Sequence, residues 1–198
     1  WRLLLLSFGY FAFSNLSLGS GDKYLGGGSL SYSLSPEFFA LANFDGEHYL
    51  SISIHGYKYL EQAFFPIYPL IISFLSSPFS SDLISSTVFS IITGLVISNV
   101  SFFFALLVLW KLIRIDYSEK IAYLTILVLL LFPTSFYFGS LYNESLFLLL
   151  TLLAFYFLRK GWYVRASLLG SIASATRVFG LLLLPSFLIE AWGKKISF

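Results

Sequence analysis

The stretch that decides the fold runs from Leu83 to Trp110 and reads LISSTVFSIITGLVISNVSFFFALLVLW, without a single charged residue. One helix of this length would measure about 42 Å, whereas the hydrocarbon core of a bilayer is about 30 Å thick. We therefore expect two short spanning helices, with a bend near Thr93-Gly94 or near Ser98-Asn99. One tilted helix is the alternative, since tilting costs little.

The composition of the whole chain agrees with a membrane protein. Hydrophobic residues make up 58 % and charged residues 11 % of the 198 positions, whereas a soluble domain carries about 25 % charged residues. This excludes an ordinary cytosolic enzyme, a disordered chain and a nucleic-acid-binding protein. Cysteine is absent, which excludes disulfides, thiolate catalysis and cysteine-bound metals.

Further apolar runs predict an all-α, multi-pass membrane protein in which residues 1–198 form a single transmembrane domain. The first run is either a span or a secretory signal peptide, because one basic residue precedes it and small residues follow it. The runs are Leu3–Leu18, Phe64–Ser77, Ile121–Ser140, Leu141–Leu158 and Ala166–Ile189.

The charges between the runs predict an orientation. Basic residues cluster in the connectors 111–120, 159–165 and 194–195, and the positive-inside rule places these connectors and Arg2 in the cytoplasm. The segment 19–63 carries five acids and two lysines, so we expect it to be an extracytoplasmic loop. An odd number of crossings must separate this outer loop from the cytoplasmic connector 111–120. Phe64–Ser77 and an unsplit Leu83–Trp110 would give two crossings, so parity favours splitting Leu83–Trp110 into a hairpin.

The outer loop has a helical pattern of its own. Apolar residues between Glu37 and Ile54 recur at helical spacing, which predicts amphipathic helices lying along the membrane surface. We expect Gly46 to interrupt these helices and Gly56 to end them. Pro66 and Pro69 mark the start of the next span.

Asp45 is the strongest candidate for a general base, since it lies within this amphipathic segment beside Glu47 and His48. A carboxylate half-buried at an interface has a raised pKa, as a general base requires. His48 and His55 would lie two turns apart on one helix, too far for one metal ion, so no metal is expected. Glu61 is either a solvated helix end or a second carboxylate in the same pocket.

Glu144 and Arg177 are ionisable residues within apolar runs. Glu144 lies where two runs must form a tight hairpin, and we expect Pro133 and Gly139 to shorten and bend the incoming helix. A central arginine costs about 2.5–3.5 kcal/mol on insertion scales, so it usually faces a cavity or a partner. The two residues form either a structural ion pair or an anion site, since guanidinium matches phosphate. If the chain turns back at Val178–Gly180, Arg177 lies at a buried apex on the outer face.

These residues fall in three motifs that resemble the PIG-V-like mannosyltransferases, in the same order and with similar spacing. The first motif comprises FDGEHYL (44–50), HGY (55–57) and AFFPIYPL (63–70). The second joins FPTS (132–135) to LYNESLF (141–147), and the third is ATRVFG (175–180). Asn143 and Val178-Phe179 depart from the pattern, which bears on the choice of sugar or acceptor.

The resemblance implies a GT-C-like helix bundle with its active site on the extracytoplasmic face. It implies inverting transfer of a hexose, expected to be mannose, from a polyprenyl-phosphate donor to a glycan, glycolipid or protein acceptor, without a cofactor. The membrane would be the plasma membrane of a prokaryote or the endoplasmic reticulum of a eukaryote. By this resemblance Asp45 and Glu61 are catalytic candidates, and the substrate-binding candidates are Glu47, His48, Lys58, Tyr142, Glu144 and Arg177.

Two other classes of function fit the composition. A transporter or lipid flippase would use Glu144 and Arg177 as substrate or proton sites, but transporters often contain repeated halves and no repeat is visible. A non-catalytic membrane subunit is the third class, and the dense charges of the outer loop argue against it.

Overall fold

The computed structural model describes residues 1–15 and 40–193, and every regular element in those ranges is helical. The prediction of a helical protein is therefore confirmed for this part of the chain. The predictions for the rest of the first apolar run, for the loop up to residue 39 and for Lys194 and Lys195 lie outside the described residues.

Eight α-helices are described, with short 3-10 segments between them. The 3-10 segments are Ala40–Ala42, Glu61–Ala63, Ser77–Phe79, Pro133–Gly139 and Val178–Leu182. The helices are α1 (Arg2–Asn15), α2 (Asp45–His55), α3 (Ile67–Ser76), α4 (Leu83–Ile113), α5 (Glu119–Leu131), α6 (Glu144–Arg159), α7 (Tyr163–Ser174) and α8 (Leu183–Gly193).

The predicted hairpin within Leu83–Trp110 is wrong, because α4 is one continuous helix of 31 residues. It begins at a capping box in which the Asp82 carboxylate accepts from the Ser85 backbone N–H and the Ser85 hydroxyl accepts from the Asp82 N–H. The Ser85 hydroxyl also contacts the Asp82 carboxylate. These bonds hold the pKa of Asp82 below its usual range. At about 46 Å, α4 is longer than the hydrocarbon core.

The residues expected to bend α4 instead form its packing contacts. Gly94 lies so close to Leu141 that an added Cβ would be 2.9 Å from two atoms of that side chain. Ser98 donates to the Tyr142 carbonyl at 3.0 Å and shares a hydrogen bond of 2.8 Å with the Tyr68 hydroxyl. The Asn99 side-chain amide donates a hydrogen bond to the Leu95 carbonyl of its own helix. Small and polar residues here permit close packing without breaking the helix.

Helices α4 to α7 connect two layers of connecting segments. One layer contains the connectors 114–118 and 160–162, and the other contains the segments 132–143 and 175–182. Helix α6, about 24 Å long, packs most extensively against α4 and α7. Helix α5 ends before Pro133, and the next segment is bent from it by 86°, because the residue before a proline avoids helical backbone. This confirms the expected shortening of the incoming helix at Pro133.

One layer is the basic end of the molecule. The Arg159 guanidinium bonds both carboxylate oxygens of Asp116, at 2.7 and 2.8 Å, and lies 3.7 Å from Glu190. The Asp116 hydrogen bonds raise the pKa of Arg159. Since Glu190 belongs to α8, the chain does turn back near Val178–Gly180, as the sequence indicated.

Arg2 does not join the basic end, and its predicted place there is wrong. Its guanidinium donates to the Gly139 carbonyl in the opposite layer, and the Trp1 indole donates to the Ser135 hydroxyl at 3.2 Å. Of the described helices, α4 alone is long and apolar enough to span a bilayer, and the bent pair Glu119–Gly139 forms a second if counted as one span.

Candidate active site

Asp45 is the first residue of α2, and it is exposed, so the expectation of a half-buried carboxylate is wrong. An acid in the first turn is stabilised by the positive end of the helix dipole. Gly46 does not interrupt the helix, contrary to expectation: it lies in the first turn, where an added Cβ would be 3.0 Å from the Leu141 carbonyl oxygen. Gly56 ends the helix at φ 75°, as predicted. Six residues of α2 are buried, so this helix packs into the protein rather than lying wholly against lipid.

Two hydrogen bonds join the residues just before the first motif to the second motif. The Leu141 N–H donates to the Leu41 carbonyl at 2.7 Å, and the Tyr142 hydroxyl donates to the Asn43 carbonyl at 2.7 Å. Asp45 follows Asn43 by two residues. The bonds therefore fix the start of α2 against the connector that precedes α6.

The third motif meets the second at the same layer. Buried Asn143 donates its side-chain amide to the Thr176 carbonyl at 2.8 Å, and the neighbouring residues Glu144 and Arg177 form an ion pair. The Ile67 N–H lies 3.4 Å from the Ala175 carbonyl, so the start of α3 joins as well. Segments more than a hundred residues apart in sequence thus converge on one layer, opposite the basic end.

The Glu144–Arg177 pair is only partly enclosed. About 25 % of the Glu144 side chain and 30 % of the Arg177 side chain are exposed. The second carboxylate oxygen, Oε2 of Glu144, is buried and has no hydrogen-bond partner within the described residues. The structure therefore contains the ion pair, one of the two predicted alternatives, and leaves part of the Arg177 side chain accessible.

The acidic residues of this layer affect the pKa of Tyr142. Burial raises the pKa of its phenol, and the negative charges of Asp45, Glu144 and Glu47 add to the rise. The phenol therefore stays neutral and keeps its proton for the Asn43 carbonyl.

Glu61 and His48 form a second cluster beside α2. Glu61 is buried, so it is not a solvated helix end; its Oε2 accepts from the Lys58 N–H at 2.7 Å. The His48 Nδ1 lies 3.8 Å from Glu61 Oε1, and the imidazole stacks on Phe64 with centroids 4.5 Å apart. Lys58 Nζ lies 3.4 Å from the Ser51 hydroxyl, on the buried side of α2. Burial, with the nearby Glu61 charge, raises the pKa of Tyr57 in this loop.

Sequence reasoning missed the residues that assemble the layer. Thr176 and Tyr68 are fully buried and bond to other segments, yet each looks like an ordinary polar residue in an apolar run. From the sequence, Asn143 stands out only as a departure from the family motif. Its position next to Glu144 in a predicted hairpin was the available signal, since a buried amide requires a partner.

The comparisons with known proteins give one match. The model of a protein family described as Mannosyltransferase (PIG-V) matches residues 28–193. None of the curated proteins and none of the solved structures matches the chain significantly. The match includes all three motifs and all the helices from α2 to α8.

Proposed function

We propose, from the premise that this chain belongs to the PIG-V mannosyltransferase family, which sugar donor it uses, how it lies in the membrane and what its site residues do. The chain is accordingly a glycosyltransferase that takes mannose from a sugar donor to an acceptor, and the family consists of membrane enzymes. Our proposal is that the donor is a polyprenyl-phosphate mannose and that transfer inverts the anomeric carbon within a multi-pass, GT-C-type bundle.

The convergence of the three motifs on one layer is the observation that carries the proposal. Asp45, Tyr142 and the Glu144–Arg177 pair all belong to segments joined there by hydrogen bonds. The opposite layer holds the basic connectors around Arg159. By the positive-inside rule the basic layer faces the cytoplasm, which places the site layer on the extracytoplasmic side.

Asp45 acts as the base in the proposed reaction. It takes the proton of the acceptor hydroxyl while the hydroxyl oxygen attacks the anomeric carbon of mannose. The bond from that carbon to the phosphate oxygen breaks, and the phosphate leaves with the electron pair. An exposed carboxylate beside the Tyr142 hydroxyl is accessible to a glycan, glycolipid or protein acceptor.

Arg177 balances the negative charge that gathers on the departing phosphate. Guanidinium groups bind phosphate through a planar fork, and preorganised charge of this kind stabilises a transition state. Glu144 holds Arg177 in place before the donor binds. Glu61 and Lys58 shape the neighbouring loop, so we assign Glu61 to positioning His48 and propose Glu47 and His48 as contacts for the acceptor.

The lipid-linked donor accounts for the composition of the chain. A donor whose carrier is dissolved in the bilayer reaches a site built among apolar helices by lateral diffusion, and its phosphate needs no metal if Arg177 supplies the charge. A transporter or flippase is not favoured, because the matched family is one of mannosyltransferases.

Radiolabelled donors test the proposal directly. The purified protein in nanodiscs, supplied with a panel of acceptors, should transfer label from polyprenyl-phosphate mannose but not from GDP-mannose. The product should carry the anomeric configuration opposite to that of the donor, which digestion with anomer-specific mannosidases reports. Transfer from GDP-mannose alone, or retention of configuration, would contradict the proposal.

A further inference from the structure

A lateral cavity lies between α1 and the site layer, and we refer to it as the α1 groove. Its volume is about 410 Å³. One face of α1, including Leu5, Leu6 and Gly9, forms one wall, and Leu41 and Phe136 lie on the other. The walls are apolar over most of their length, so an apolar chain suits them.

The α1 groove is open beside Gly9. A Cβ added at Gly9 would meet no atom within 4 Å, so the helix presents free space at this point. Leu5 and Leu6 lie one turn before Gly9 on the same face. The groove therefore has room for a chain beside α1.

Arg2 gives the α1 groove a charged end. Its guanidinium lines the cavity and donates to the Gly139 carbonyl. Gly139 admits this contact, because an added Cβ would lie 1.7 Å from Arg2 Nη1. Tyr142, which bonds the segment before Asp45, follows Gly139 by three residues. The cation thus lies next to the connector that carries the site.

We infer that the α1 groove binds the isoprenoid chain of a polyprenyl phosphate, with the phosphate end at Arg2. An apolar channel that ends at one guanidinium beside the site complements a ligand with a long hydrocarbon tail and one anionic head. This inference rests on the proposed function, since it locates the carrier lipid of that donor. Arg2 contacts the Gly139 end of the Gly139–Glu144 segment and Arg177 contacts the Glu144 end. In this inference Arg2 binds the phosphate as the carrier enters the groove, and Arg177 binds it when the sugar is transferred.

Tryptophan substitutions in α1 test the groove. Gly9→Trp fills it, whereas Leu4→Trp adds the same side chain at a position that is 63 % exposed and does not line it. In nanodiscs, Gly9→Trp should weaken binding of undecaprenyl phosphate about tenfold or more, since buried methylene groups lose their contacts. It should leave binding of the short citronellyl phosphate unchanged, and Leu4→Trp should change neither affinity.

Two further variants test the phosphate end and provide a milder filling of the groove. Arg2→Gln should weaken both phosphates alike, because both present the same anionic head. Gly9→Leu, a smaller filler with space to enter, should give an intermediate loss of long-chain affinity if the tryptophan variant fails to fold. Equal losses for both chain lengths in Gly9→Trp, or no loss, would overturn the groove, and no effect of Arg2→Gln would overturn the phosphate end.

Binding is measured without mannose, so this test is independent of transfer. Binding with the expected pattern but no mannose transfer from any donor would refute the proposed activity and leave the groove standing. Equally strong competition by dioleoyl phosphatidic acid would mark a general phospholipid groove and overturn the isoprenoid assignment.

Discussion

At the scale of single residues, the geometry around Asp45 separates exposed side chains from side chains that hold the layer together. Asp45 is exposed at a helix start, whereas Asn143 and Thr176 are buried and bonded to each other. Glu61 belongs with the second group, because its carboxylate is committed to the Lys58 N–H. The surface residues are therefore the ones to test for chemistry.

Asp45→Asn should abolish most of the mannose transfer while the protein still folds. The amide keeps the shape of the side chain but does not accept the acceptor proton, and a general base contributes about 10²- to 10⁴-fold in rate. Initial rates with saturating donor measure the loss. Glu119→Gln, which removes an exposed carboxylate at the basic end, is the matched control and should retain full activity; a fully active Asp45→Asn would remove the base assignment.

Arg177 and Glu144 allow the structural and functional interpretations of an ion pair to be separated. Arg177→Ala leaves a partly buried carboxylate unpaired, which should cost about 2 kcal/mol of stability, less than for a fully buried pair. The variant should also lose affinity for the donor lipid more than for the acceptor. Thermal unfolding and KM for each substrate report the two effects.

The double variant Arg177→Ala with Glu144→Ala completes that experiment. It removes both charges, so thermal stability should return toward that of the native protein while donor affinity stays low. If donor affinity returned together with stability, the pair would be structural and the phosphate role of Arg177 would be refuted.

At the scale of elements, α4 shows what local pattern does not reveal. A run with Gly94, Ser98 and Asn99 near its middle looks breakable, yet each of these residues has a specific contact. The contacts of Gly94 and Ser98 lie between α4 and the connector at Leu141 and Tyr142, and that of Asn99 lies within α4. Only the packed structure shows that the small side chains serve close approach rather than a turn.

Gly94→Val should destabilise the protein and reduce transfer together. The added carbons would lie within about 3 Å of Leu141 and Ile72, and overpacking of this kind costs about 1–3 kcal/mol. Displacing Leu141 also disturbs its bond to the Leu41 carbonyl, next to the start of α2. Val96→Ile, at an exposed position on the same helix, should change neither the melting temperature nor the rate, and an unaffected Gly94→Val would contradict the packing argument.

At the scale of the whole molecule, two layers of connectors lie at opposite ends of α6. The basic layer is held by Arg159 with Asp116 and Glu190, and the site layer by the bonds around Tyr142 and Asn143. In the proposed topology each layer lies at one face of a membrane. That proposal rests on the two layers rather than on a count of hydrophobic runs.

Single cysteines test that topology without background, since the chain has none. Tyr59→Cys lies in the loop beside Glu61 and Tyr117→Cys beside Asp116, and both tyrosines are well exposed. In sealed membranes an impermeant maleimide should label the two positions from opposite sides, with position 59 labelled from outside. Labelling of both cysteines from one side would contradict the two-layer orientation.

The sequence by itself determined that the protein is helical, apolar and bent at Pro133, and that Asp45, Glu144 and Arg177 are the charges to consider. These conclusions follow from composition, periodicity and the rarity of ionisable groups in apolar runs, which are local properties. Tertiary structure alone decided that α4 is continuous, that Arg2 leaves the basic end, that Glu61 is buried and that Gly46 permits close packing. Each of these outcomes depends on a partner far away in sequence, whose contact energy a local pattern does not contain.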